Sequence, residues 1–334
     1  MAAITNTYPT STSVRNRETL SDLISMITPE ETPLYSLIGT ESIDGIRPEW
    51  QTDSLATPSV TNKYVQGDQY TYAAITATTR VSNYTQIMRK DWVVSKTQEV
   101  VSKAGPKSEF NRTKLIRGIE LRTDIEATMV SNQASVAPSG VATAGAMGGL
   151  RAWLATNDSL GSGGSSGGYS AGLVTVATNG TQRTFTKALL DDNIQTVYTA
   201  GGNPSILMVS PYLKRVFSTF MSDSNVAAFR TNMSGKKQGT IYGAADTYIS
   251  DFGDIDVVPN RQWARVGATL NRNAYLLEPG KLKVGVLRPI AEDPEVVPNA
   301  DAKAGVLICE VTLIVKNEAA HGVIADLYGT TAST

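Results

Sequence analysis

The chain has one cysteine and one histidine among 334 residues. A lone Cys309 forms no internal disulfide and supplies no thiolate zinc site, which needs several ligands. A lone His321 excludes the paired-histidine metalloprotease motifs. Charged residues make up 18% of the chain, against about 25% in a typical globular domain. Thirty Lys and Arg against 31 Asp and Glu leave a net charge of −1, so the chain lacks the basic excess that grips nucleic acid. The start, Met1 to Asn6, carries neither the basic nor the apolar region of a secretory signal. The greasiest segment, Val306 to Val315, is interrupted by Glu310 and Thr312, so no membrane span is expected. The chain reads as soluble and made in a reducing cytoplasm. A sequence this short of charge is suited to covering much of its surface with other protein.

Residues 1–48 read as an arm too short to own a core. Leu20, Leu23, Ile24 and Ile27 fall on one helical face that Thr28-Pro29 stops. Thr32 to Gly39 forms a second apolar patch. Residues 49–97 read as a long projecting β-hairpin: Val60, Tyr64, Tyr70, Tyr72, Ile75, Val81, Tyr84, Ile87, Trp92 and Val93 supply strand-type side chains, and Gly67-Asp68 offers a turn. Paired strands with nothing beneath them are marginal alone. The long helix is expected over 106–133, starting at Pro106, with Phe110, Leu115, Ile116, Ile119, Ile125 and Met129 as its apolar stripe. Ala134 to Gly172, dense in Gly and Ser, reads as a flexible crossing or surface loop. Beyond Thr184 the chain alternates. A helix through Leu189–Tyr198 ends at Gly201-Gly202. A buried strand spans Ser205–Val209, and a helix capped by Ser210-Pro211 follows it. A hairpin turns at Phe252-Gly253-Asp254, strands are expected at 275–277 and 281–287, and a last strand runs through 306–315. The fold class is α+β.

Reactive chemistry is scarce. Gly163 to Gly167 matches Gly-x-Ser-x-Gly around Ser165, with His321 downstream, but the mechanism needs a sharp strand-to-helix turn that this tract lacks. A serine hydrolase is therefore the rival from a different class. His321 reads as a surface or interface histidine. Gly235-Lys236-Lys237 fails the full phosphate-loop pattern. Asp251, Asp254 and Asp256 are explained by turn chemistry, so no metal and no cofactor is expected. From Arg80 to Arg122 ten Lys and Arg face four Asp and Glu. Such a run is either a solvated helix face or a surface turned to phosphate or to acidic neighbours.

Five segments carry a resemblance. Glu49 to Leu55 and Asn83 to Ile87 look like paired strand motifs of tailed-bacteriophage major capsid proteins. Arg17 to Asp22 with Thr28 to Pro33 resembles their N-terminal segment, and Gly118 to Ala127 their long-helix motif. The likeness is sharp over about 17–133 and looser beyond. It implies the Hong Kong 97-like fold, divided here into an N-terminal arm (1–48), an extended loop (49–97), a spine helix with part of a peripheral domain (98–139), an axial domain (140–290) and closing strands (291–334). It further implies self-assembly into hexamers and pentamers of an icosahedral head in the virion, built in the host cytoplasm. The partners implied are a portal protein, a separate scaffold or decoration protein, and weakly contacted double-stranded DNA. Because the motifs start by Arg17, little room is expected for a cleaved leading segment. The residues expected at contacts between subunits are Glu49, Trp50, Asp53, Tyr84 and Gln86 in the loop, and Arg112, Arg117 and Arg122 on the helix. An encapsulin-like compartment shell of the same fold is the nearer alternative.

Overall fold

A computed structural model describes residues 28–101, 107–220, 246–297 and 300–330. The motif Arg17–Asp22, the apolar turn Leu20–Ile27, Pro106 and Gly235–Lys237 lie outside the described residues.

Two sheets share one long helix. The first sheet has four strands in the order β1 (Thr40–Ser42), β12 (Leu282–Glu292), β13 (Ala302–Val315) and β4 (Gln86–Ser95). Its spine is the antiparallel pairing of β13 with both neighbours, Cys309 opposite Met88 and Leu313 opposite Val284. The expected apolar face of the last strand is present: Leu307, Cys309, Val311, Leu313 and Val315 are all buried, and α3 (Glu109–Val130) packs on the sheet. Trp92 of β4 meets Phe110 of α3 at 5.3 Å between ring centroids. Gly305 lies opposite Trp92, where a Cβ would come within 2.4 Å of the indole.

The second sheet has six strands in the order β5 (Asp158–Ser159), β14 (Gly322–Ile324), β11 (Ala274–Leu277), β8 (Ile206–Val209), β10 (Gly253–Pro259) and β9 (Thr247–Ser250). Its middle strands are buried on both faces, which is why Ile206–Val209 and Ala274–Leu277 are unbroken apolar runs. Leu207, Val209, Ala274 and Leu276 pack with α5 (Lys187–Thr199) and α6 (Pro211–Thr219). Their alternates Ile206, Met208, Tyr275 and Leu277 join the core that also holds α3. The caps behave as their sequence directs: Thr186 accepts from the Leu189 amide, and Ser210, followed by Pro211, accepts from the Leu213 amide. Gly201, at φ +92°, ends α5. Short elements fill the connections: helical turns α1 (Pro33–Leu37), α2 (Lys96–Val100) and α4 (Leu150–Trp153), and a ribbon of β6 (Gly168–Ser170) with β7 (Leu173–Thr175).

Several expectations change. The long hairpin is short: β2 (Glu49–Thr52) pairs only with β3 (Thr79–Ser82), and 53–78 contains no strand. β4 does not continue it but turns into the four-stranded sheet, because Met88 and Trp92 bury there. The helix begins at Glu109 with Ser108 as its cap, accepting from the Asn111 amide. Leu115, placed on the buried stripe by its spacing, is 71% exposed, while Leu121 and Glu126 are buried instead. Within 140–290, β12 belongs to the four-stranded sheet, and the late strand β14 belongs to the six-stranded one, so strand membership crosses the boundary at 290.

The Gly/Ser tract is packed rather than loose. A Cβ at Gly149 would lie 2.2 Å from the Ser131 carbonyl oxygen, and one at Gly161 2.0 Å from that of Thr181. At such positions glycine lets one backbone approach another.

Candidate subunit interface

Between β2 and β3 the loop stands clear of the body. Leu55 and Ile75 are each 99% exposed and Tyr72 is 91% exposed, with Val60, Tyr64, Val65 and Tyr70 exposed beside them. The hydrogen bonds inside the loop are local: Asp53 accepts from the Ser54 amide and Asp68 from the Gln69 amide. Seven large apolar side chains on one segment form a patch that a lone soluble chain rarely leaves in water.

The loop's root, by contrast, is fixed. Trp50 donates its Nε1 hydrogen to the Val315 carbonyl at 2.9 Å and tilts against Trp153 at 5.7 Å. Trp153 in turn stacks on Tyr169, 5.6 Å away with the rings nearly parallel, and the Tyr169 hydroxyl is hydrogen-bonded to Ser82 in β3. Asn83 is fully buried; it donates to the carbonyls of Leu313 and Gly148 and accepts from the Gly148 amide. Thr85 donates to Glu310, whose other oxygen accepts from Arg288. Cavities of about 370 and 390 Å³ flank this root, one beside Glu41, Trp50 and Lys316, the other beside Trp153, Tyr169 and Glu318.

The structure distributes the eight expected contact residues unevenly. Asp53 is exposed at the loop's start. Glu49 is exposed and pairs with Arg80 at 3.2 Å and Arg47 at 3.5 Å. Trp50 is half-buried against its own body, as described. Tyr84 is half-buried beneath the Arg47 guanidinium, and Gln86 accepts from Gln133 and the Met147 amide. On α3, Arg112 pairs with Glu109 and Arg117 with Glu120, each one turn apart, which is the solvated-face pattern. Arg122 lies over the Tyr35 ring. Beside these arginines Leu115, Ile116 and Ile119 remain partly or wholly uncovered, a second apolar strip that the described residues do not bury. The supports Asn83, Trp153, Tyr169 and Glu310 were not legible as such; Asn83 stands out in the sequence only as the first residue of the Asn83 to Ile87 motif.

Against known proteins, the model of a family described as the SU10 major capsid protein matches residues 3–328. The chain belongs to that family. A major capsid protein of Escherichia phage Phieco32 is 30% identical over 224 residues, taking in 58% of this chain and 64% of the relative. The chain thus spans just under two thirds of that relative's length. Among solved structures, one from Gordonia phage Cozz superposes with a TM-score of 0.62 at 13% identity, covering 99% of each chain. One from the holo-SrpI encapsulin complex of Synechococcus elongatus PCC 7942 superposes at 0.54 with 10% identity, over 96% of this chain and 95% of that one. At such identities these likenesses show the fold, which is the α+β Hong Kong 97-like one. That fold thus recurs in a structure from a phage and in one from an encapsulin complex, and the matching family model is that of a major capsid protein.

Within this capsid-family chain the hydrolase pair does not have the required chemistry. His321 is buried, not at the surface, and its Nδ1 accepts from the Glu278 amide at 3.2 Å. In the neutral ring Nε2 then carries the hydrogen and is no base. Burial, with Lys281 nearby, pushes its pKa down to about 4. Ser165 pairs through its backbone with Thr178. Among the described residues no group of three or more His, Cys, Asp or Glu could hold a metal ion, and no helix is long and apolar enough to cross a membrane.

Proposed function

We propose that the chain is the shell subunit of a tailed-phage head, assembling through its extended loop into hexamers and pentamers that enclose double-stranded DNA. The observation that carries this reading is the contrast between a naked apolar loop, Leu55 to Ile75, and the fixed root beneath it. A rigid base keeps the loop extended, so the ordering entropy of association falls on few residues. A neighbouring subunit buries the tyrosines and aliphatic side chains, and repetition of that contact closes a symmetric shell. The action is association; no catalytic step is assigned. The near-neutral charge suits a wall that contains DNA without gripping it.

In this reading 1–48 is the arm, 49–97 the extended loop with its root, 98–139 the spine helix, 140–290 the axial region and 291–334 the closing strands. Asp53 at the loop's start is offered as a contact residue, and Glu49 beside it as a rim charge. Trp50, Tyr84 and Gln86 support the loop from within. Arg112, Arg117 and Arg122 flank the uncovered strip of α3 and present the neighbour with a basic rim. A portal protein, a separate scaffold or decoration protein, assembly in the host cytoplasm and residence in the virion complete the proposal. Light scattering and negative-stain microscopy of the purified chain test it. Closed shells, or rings of five and six, are expected. A particle that stays monomeric when its scaffold is supplied refutes the reading. Shells that enclose an enzyme in place of genomic DNA would favour the compartment alternative.

A further inference from the structure

Residues 29–35 run along the body under a polar clasp made by two separate elements. From α3, the wholly buried Glu126 turns both carboxylate oxygens to the arm. Oε1 accepts from the Leu34 amide at 2.9 Å and Oε2 from the Tyr35 amide at 2.8 Å. One turn earlier, Arg122 lies over the Tyr35 ring at 5.4 Å. From the segment after β10, Asn260 donates its Nδ2 hydrogen to the same Glu126 Oε1 at 2.6 Å. Asn260 is itself tied to the six-stranded sheet, its amide donating to the Val209 carbonyl at 2.8 Å. Gln262, at the start of α7 (Gln262–Val266), donates to the carbonyls of Pro29 at 2.9 Å and Glu31 at 3.0 Å. Arg265 reaches the Pro29 carbonyl at 3.4 Å.

Three N–H donors converge on two buried oxygens, an arrangement that a carboxylate satisfies and an amide does not. Burial pushes the Glu126 carboxyl pKa up, and the three donors oppose that rise. The buried charge is therefore tolerated only while all three donors stay in place, and losing one weakens the hold of the others.

The geometry points to Glu126 as the pin of a clasp that joins arm, spine helix and six-stranded sheet, so that residues 29–38 open and close as one unit while both sheets stay folded. Opening uncovers Leu34 and Ile38, which are buried when the clasp is shut. Nothing in this inference depends on the chain forming shells.

Hydrogen exchange on the full-length chain tests it. In the unaltered protein the amides of Leu34, Tyr35, Ser36 and Ile38 are expected to exchange with one common opening rate. That rate is faster than the exchange of Leu207 and Leu276 in the six-stranded sheet. Glu126→Gln places an amide NH₂ against N–H donors, and Asn260→Asp places a carboxylate against a carboxylate. Each should speed exchange at Leu34 and Tyr35 by about tenfold, the factor for roughly one lost hydrogen bond. Combining the two substitutions lets the new amide on α3 donate to the new carboxylate after β10. That amide still meets the Leu34 N–H with a donor, so the double variant should exchange faster than the unaltered protein but clearly short of the product of the two single effects. The clasp is refuted if the arm amides exchange only together with the sheet strands, if either single variant leaves Leu34 and Tyr35 unchanged, or if the two effects simply multiply. Should a variant fail to fold, the comparison of arm and strand amides in the unaltered protein decides alone.

Discussion

Replacing Trp50 with alanine removes the hydrogen bond to the Val315 carbonyl, the contact with Trp153 and the burial of half an indole. The first is worth about 1 kcal/mol and the second about 1 kcal/mol. The third adds about 1 kcal/mol, well under the ~3–5 kcal/mol of a fully buried aromatic truncation. A loss of about 3 kcal/mol lowers the thermal midpoint of the isolated subunit by roughly 4 °C. Replacing Tyr72 with alanine is the matched control from the other end of the loop. Its side chain is 91% exposed, so the subunit should change by less than ~0.5 kcal/mol. If a neighbour buries it, one interfacial tyrosine is worth about 2 kcal/mol, and the concentration at which shells appear rises about 30-fold. Calorimetry of the subunit and light scattering against concentration measure the two quantities on the same preparations. Trp50→Ala should fail in both assays and Tyr72→Ala in the second alone. The reasoning collapses if Trp50→Ala melts with the parent. A Tyr72→Ala midpoint shifted as far as that of Trp50→Ala would be equally damaging. So would unchanged assembly thresholds for Tyr72→Ala, Leu55→Ser and Ile75→Ser together.

Three other perturbations probe the body. Gly149→Ala forces a Cβ to 2.2 Å from the Ser131 carbonyl oxygen and should cost more than ~2 kcal/mol. Gly163→Ala, at φ +80° with open space around it, should cost about 1 kcal/mol; equal melting shifts would contradict the packed reading of the tract. His321 has its pKa lowered to about 4 from an ordinary 6.5, so the unfolded chain takes up the proton first. The stability contribution is whole above pH 6.5 and shrinks as pH falls towards 4, by about 3 kcal/mol in all. His321→Gln should flatten the fall in urea midpoint between pH 7 and pH 4.5, and an undiminished slope would show that other groups cause it. Burial pushes the Cys309 thiol up to about 11, so a disulfide reagent at pH 8 should leave the folded chain unlabelled and react only as urea unfolds it; labelling at the rate of a free thiol would contradict the buried placement.

Where a signal lay in local chemistry, the sequence was readable. Ser210-Pro211 announces a helix start because the serine oxygen and the proline φ both act within one turn. The alternation of Leu307, Cys309, Val311, Leu313 and Val315 announces a half-buried strand because the period of a strand is two. Features that depend on what lies across space were not readable. Leu115 keeps the helical period yet is largely exposed among the described residues. Gly149 and Gly161 have the composition of a linker, but their reason is a carbonyl oxygen brought close by residues far along the chain. Glu126 looks like any helix carboxylate until the Leu34, Tyr35 and Asn260 donors are seen around it. The loop root was half readable: Trp50 stood out as an aromatic anchor, but its anchorage is to Val315 and Trp153 of the same chain.

The missing strands of the loop follow from the same distinction. Val60, Tyr64, Tyr70, Tyr72 and Ile75 have strand propensity, but that propensity measures how side chains fit a half-buried pleated surface. Residues 53–78 find no such surface among the described residues, since β4, which could have continued the hairpin, places Met88 and Trp92 in the body core instead. These side chains therefore do nothing for the subunit's own stability. An apolar set that the fold neither needs nor hides, carried on a root secured by a tryptophan, a buried asparagine and a buried glutamate, is explained once a second copy supplies the surface. The 18% charge content points the same way, because a chain whose surface meets mainly other copies needs fewer charges to keep it in water.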